Sequence, residues 1–172
     1  IYESALQASR MVAGVRVEVV DSLSASMGTG LLAIMAAQGA RLGKGLAELL
    51  SQVKEAIPKV RLFALLDSLE YLQKGGRIGK AQALLGSLLN IKPLIAVKEG
   101  EVHPLERVRS RPKAIERLYE LVRQIPSIQA LAVMYNTTPD EAEGLARRLH
   151  PHFPQEKIIR AQIGPTLGTH GG

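Results

Sequence analysis

Cysteine and tryptophan are both absent from this 172-residue chain. Without thiols it can form no disulfide and offer no thiolate to a metal. Histidine is scarce, and the four residues at positions 103, 150, 152 and 170 fit no HExxH-type spacing, so metal chemistry is not expected. The six aromatics, two Phe and four Tyr, are scattered and give few platforms on which nucleic-acid bases could stack. No apolar run approaches the ~20 residues that span a bilayer, and the first residues show no basic region followed by an apolar one. These absences argue against a metalloenzyme, a nucleic-acid binder, a membrane-inserted protein and a secreted one. The expected location is the cytoplasm. The first residue is Ile1 rather than Met, and the expectation is a piece of a longer protein that supplies part of any binding site.

What is present is enough to build a core: 46% of residues are hydrophobic and the mean hydropathy is +0.06. Charge is uneven. Residues 1–57 hold five basic and five acidic side chains, leaving 17 against 11 in residues 58–172, which therefore carry the whole excess of six. A basic second part can attract anions.

Hydrophobic periodicity divides the chain near Pro58. Before it, residues 3–12 read as the end of a helix and residues 15–20, alternating and rich in valine, as a short strand. Ser24 or Ser26 is the natural cap of the helix that follows, with Gly28 and Gly30 in its first turn where a backbone or ligand could approach closely. A second helix spans residues 45–56 and stops before Pro58. After it, residues 60–66 read as a buried strand, Asp67 and Glu70 as a capping box opening a short helix, and residues 79–89 as another helix. Residues 91–97 and 101–108 flank a hairpin loop at Lys98-Glu99-Gly100, with Pro93 and Pro104 expected at strand starts or edges. A helix over 111–124, a strand over 128–135, a helix started by Thr138-Pro139-Asp140-Glu141 and a strand over 157–163 complete the pattern. The closing Gly-rich stretch, 164–172, is expected to hang free. The predicted fold class is α/β: the remnant of a parallel-sheet α/β domain over 1–57, then a mixed-sheet, two-layer α+β domain over 58–172.

The stretch from Leu72 to Ala81 carries the clearest chemistry. Gly75-Gly76-Arg77 interrupts helix-forming sequence, and such a break collects backbone N–H groups, a fixed cation and a helix start at one point. It reads either as an anion site or as a glycine helix stop followed by a solvated arginine. Neither Gly79-Lys80 nor Gly43-Lys44 has the glycine five positions earlier, where Lys74 and Gln38 stand, or the hydroxyl afterwards, that a phosphate-binding P-loop needs. GxSxG and dinucleotide-binding glycine patterns are also missing. Asn136-Thr137-Thr138 matches a glycosylation acceptor but lacks a secretory context. The remaining polar groups at turns are Ser24, Ser26, Arg77 and His170, which together would suit a carboxylate or an acyl phosphate if the fold brought them together.

These residues resemble the DegV family of bacterial fatty-acid-binding proteins. The resemblance rests on Asp21-Ser22 with Ser26-Met27-Gly28-Thr29-Gly30, and on Asp67-Ser68-Leu69-Glu70-Tyr71-Leu72 running into Lys74-Gly75-Gly76-Arg77-Ile78. It continues through Asn90-Ile91-Lys92-Pro93 with Glu99-Gly100 to the terminal Gly168-Thr169-His170. It implies a two-domain protein holding a long-chain fatty acid between its domains, with no other cofactor. In members that serve a fatty acid kinase, a separate catalytic subunit phosphorylates the carboxylate. By motif position Ser26 would bind the carboxylate, and Arg77 and His170 would form the headgroup rim or the kinase contact. Ser24, Gly28 and Thr169 would support them. A second headgroup hydroxyl of the family, a threonine, has no counterpart here. A different reading makes the protein an enzyme in which Arg77 and His170 act on a phosphorylated small molecule, with His170 as general acid or base.

Overall fold

A computed structural model describes residues 1–85 and 91–172. The first part is helical. Helix α1 (Tyr2–Ser9) is followed by a segment without regular structure, then α2 (Ser26–Arg41) and α3 (Leu46–Ala56). Residues 15–20 form no strand, contrary to their alternating pattern. A strand exists only when a neighbour satisfies its N–H and C=O groups, and no described segment pairs with this one. Helix α2 also starts differently from expectation. Ala25 is its N-cap, Ser26 is already the first helical residue, and neither Ser24 nor Ser26 makes a side-chain cap bond.

A 3-10 turn over Ile57–Lys59 leads from α3 into the second part. Strands β1 (Leu62–Leu65), β2 (Lys92–Lys98) and β3 (Glu101–Val108) form an antiparallel sheet in that order. Its register pairs Phe63 with Ala96 and Val97 with Val102. Strands β4 (Ala132–Tyr135) and β5 (Ile159–Gln162) form a separate parallel pair. The mixed strand directions expected from sequence are thus divided between two sheets. Pro93 is the second residue of β2 and is fully buried; Pro104 lies in the edge strand β3.

Helices occupy the connections: α4 (Glu70–Lys74), α5 (Arg111–Arg123), α6 (Pro139–Leu149) and α7 (Pro165–Gly171). Residues 79–84 form a 3-10 helix where a longer α-helix was expected, and the rest of that prediction, 85–89, is non-helical at Leu85 and otherwise outside the described residues. Two apolar clusters hold this part together. Val133, Ala142, Ala146, Leu149, Phe153 and Ile158 join α6 to the parallel pair. Leu69, Leu72, Ala81 and Ile95 seat α4 on the antiparallel sheet.

The capping box predicted at Asp67 and Glu70 dissolves, and the polar side chains at the start of α6 are diverted as well. Leu69 caps α4, and Asp67 turns away to Lys92 and Arg111. Thr138 does cap α6 by position, but its hydroxyl and the Glu141 carboxylate both go to Arg111. The terminal stretch is not free. It forms α7, which packs on α4 with Gly172 against the Tyr71 ring.

One junction ties the two parts together. The Gly100 N–H in the β2–β3 turn donates to the Leu23 carbonyl across 2.9 Å. Leu23, Ser26 and Glu99 are the non-glycine residues with left-handed backbone among those described, at φ of 50°, 50° and 54°, and all three flank this contact. Such a conformation costs about 1–2 kcal/mol each and persists where surroundings enforce it. The enforcement is visible: Leu23 N–H donates to Asp21 Oδ1 at 3.0 Å, and the Ser22 and Thr29 hydroxyls meet at 2.8 Å.

Candidate functional site

A cleft of about 1810 Å³ runs along β1. Its apolar lining follows from helical spacing: Met27, Leu31 and Met35 recur every four residues on α2, and Ile115, Leu118 and Val122 every three or four on α5. Side chains at this spacing share one face, so each helix presents a stripe to the cleft.

One end is polar. Asp67 follows β1 and meets Arg111 at the start of α5, so the two elements share one end of the cleft. Asn136, just past β4, joins them there by donating from Nδ2 to the Gly172 carbonyl at 2.6 Å, which ties in α7. Lys59, Arg61, Ser127 and Gln129 add further polar groups to the lining.

Of the residues singled out from sequence, Ser24, Ser26, Gly28, Arg77 and His170 all line this cleft. Ser24 Oγ is buried without a hydrogen-bond partner and rests against Gly28, where a Cβ would run into it. Ser26 is half-buried in its left-handed conformation. Arg77 and His170 converge on a single residue: Arg77 Nη1 donates to the Gly75 carbonyl at 2.7 Å, and His170 Nδ1 packs directly on Gly75. Thr169 is not among the lining residues; its hydroxyl donates back to the Pro165 carbonyl at 2.8 Å. The Gly-Gly pair is a helix stop, as one of the two readings had it, but the left-handed residue is Gly76 (φ 66°), with Gly75 still helical. The Arg77 N–H returns to the Leu72 carbonyl at 2.8 Å, closing a Schellman cap.

A charge network that sequence reading did not find lies beside these groups. Arg111 donates through Nε to both Glu141 oxygens at 2.8 and 2.9 Å, and reaches Asp67 Oδ1 at 3.1 Å. Lys92 donates to the same Asp67 oxygen at 2.7 Å. The Lys92 ammonium, with Arg111 behind it, holds the Asp67 carboxyl below its ordinary range. Arg111 does the same to Glu141, and Glu141 in turn raises the guanidinium. One sequence signal could have exposed this network. A cation in the first turn of a helix opposes the helix dipole, so Arg111 before Pro112 needed nearby acids. Those acids occupy Arg111, whereas Arg77 has no carboxylate partner among the described residues.

Among the described residues no three His, Asp or Glu side chains come together as a metal site. No described helix is long and apolar enough to cross a membrane.

Comparison with known proteins agrees with this architecture along the whole chain. A family model described as uncharacterised proteins of the DegV family matches residues 1–172. A DegV domain-containing protein of Streptococcus pyogenes is 35% identical over 176 residues, covering 99% of this chain and 62% of its own length. A DegV family protein from Thermus thermophilus, whose structure is described as one of fatty acid binding, superposes with a TM-score of 0.87 at 30% identity, again over 99% and 62%. DegV from Bacillus subtilis, described as a fatty acid binding protein, gives 0.85 at 31% over the same shares. The chain thus spans 62% of the length of each of these relatives. With its full length matched by the family model, the chain belongs to the DegV family.

Proposed function

We propose that the protein containing this chain binds a long-chain fatty acid noncovalently and presents its carboxylate to a separate kinase. The observation that carries this reading is an apolar cleft whose lining includes Arg77 and His170, both in contact with one residue, Gly75. Burial of an acyl chain contributes about 0.8 kcal/mol per CH₂, on the order of 10 kcal/mol for a long chain before association costs are subtracted. The relatives described as fatty-acid-binding support the ligand class.

Residues 1–57 and 58–172 are read as parts of two domains that face each other across the cleft. Ser26 supplies a hydroxyl to the carboxylate, and His170 sits at the rim. Arg77 is exposed and bonded only to backbone among the described residues, which suits contact with a phosphate or with the kinase. The protein itself is a carrier rather than an enzyme and works in the cytoplasm.

Native mass spectrometry of the full-length protein tests the ligand. The expected result is a co-purified or exchangeable fatty acid, and a protein that takes up no added oleate sinks the reading. Ser26→Ala is expected to weaken oleate binding about tenfold, the equivalent of one lost hydrogen bond to a charged group. Arg77→Ala should leave binding within about twofold while slowing acyl-phosphate formation by the kinase. Equal loss of binding in both variants would refute that division of labour.

A further inference from the structure

Gly75 is glycine for a reason its backbone does not supply. At φ −79° and ψ −3° it sits in the ordinary right-handed region, open to any residue. The left-handed turn belongs to Gly76, around which a Cβ would meet nothing within 4 Å. A Cβ on Gly75, by contrast, would run into His170 Nδ1 and lie 2.8 Å from Cε1 of the same ring. The next neighbour, the Tyr71 carbonyl at 3.1 Å, is the group that already accepts the Gly75 N–H. The two glycines therefore have separate tasks: Gly76 shapes the chain and Gly75 leaves room.

We propose that Gly75 is a positioning residue, the seat that fixes the His170 imidazole and the Arg77 guanidinium together on the wall of the cleft. Three observations converge on it. The His170 ring lies on its Cα, with Nδ1 buried and without a hydrogen-bond partner, so close packing rather than a bond sets the ring's place. Its carbonyl accepts from Arg77 Nη1, which folds the guanidinium back over the turn. Helix α7 is also held against α4 by Gly172 on the Tyr71 ring and anchored by Asn136 on the Gly172 carbonyl, so the imidazole cannot retreat freely. An added methyl has to displace the ring. The functional half of this inference rests on the fatty-acid reading above; the geometric half does not.

The test uses the full-length protein with Gly75→Ala, Gly76→Ala, His170→Ala and the double variant Gly75→Ala/His170→Ala. Proton–carbon spectra of the histidine rings, melting temperature and oleate affinity are measured on each. Gly75→Ala should move the His170 ring signals, lower the melting temperature and reduce oleate affinity by as much as His170→Ala does. Gly76→Ala should lower the melting temperature while leaving those ring signals in place. In the His170→Ala background the sign reverses: Gly75→Ala should leave the melting temperature unchanged or raise it, because alanine favours a helical backbone and the obstacle is gone. Ring signals that stay put in Gly75→Ala, or that move equally in Gly76→Ala, overturn the proposal. So does a double variant less stable than His170→Ala, including one that fails to fold. A protein that takes up no oleate at all would refute the fatty-acid reading, while the ring spectra and melting temperatures still decide whether Gly75 seats His170.

Discussion

Space, more than conformation, governs several residues here, and two glycines in helices make the contrast measurable. A Cβ on Gly28 would run into Ser24 Oγ and lie 3.3 Å from Val60 Cγ1, whereas one on Gly144 in α6 meets nothing within 4 Å. Alanine gains about 1 kcal/mol over glycine in a helix interior, but overpacking costs about 1–3 kcal/mol. Gly28→Ala is thus expected to destabilise by about 1 kcal/mol and Gly144→Ala to stabilise by about 0.5–1 kcal/mol, both read from urea unfolding. Chemistry at the same scale appears in the Arg111 network. Asp67 and Glu141 are both held below their ordinary values, the first chiefly by Lys92 and the second by Arg111. A depressed carboxyl favours the folded state fully above its unfolded value and loses that contribution as pH falls through its folded one. Stability should therefore be flat above about pH 5 and decline below about pH 4, and Asp67→Asn/Glu141→Gln should flatten the decline while lowering stability at neutral pH. A decline of equal steepness in that variant would contradict the assignment. Ser26, Arg77 and His170, singled out because polar side chains at turns are conspicuous in sequence, all line the cleft. The Arg111 network was not legible in sequence, since its partners Asp67 and Glu141 lie 44 and 30 residues away.

Elements were legible where the signal is local. The Thr138-Pro139-Asp140-Glu141 start of α6 follows from proline at the first turn and acids near the helix N-terminus. What its side chains bond to was not readable, because a competing guanidinium arrives from α5. Residues 15–20 failed for the opposite reason: the local pattern was present and, among the described residues, a partner was not. Helix α7 was missed because glycine-rich sequence is a poor helix former alone, and its order comes from packing on α4. The β2–β3 hairpin was read correctly, with Gly100 left-handed as expected at φ 80°. Glu99 shares that left-handed geometry at φ 54°, which makes the two-residue turn one that favours glycine or asparagine at both positions. Glu99→Gly should accordingly stabilise the protein by about 0.5–1 kcal/mol in thermal unfolding, and a loss would show that this turn geometry is wrong.

On the scale of the whole molecule, the family was legible because its motifs recur in order from Asp21 to His170, a pattern independent of any one contact. The cleft itself was not legible. It draws its lining from α2, β1, α5 and the segments around β4, which lie far apart in sequence and meet only through the tertiary fold. The two parts of the chain nonetheless touch away from their connection near Pro58, through the hydrogen bond from Gly100 to Leu23. An amide proton engaged there exchanges with solvent deuterium only when that junction opens. Gly100 thus offers a built-in gauge for separation of the hairpin from the α2 loop: the protection of this one amide measures the free energy of opening the cleft's edge.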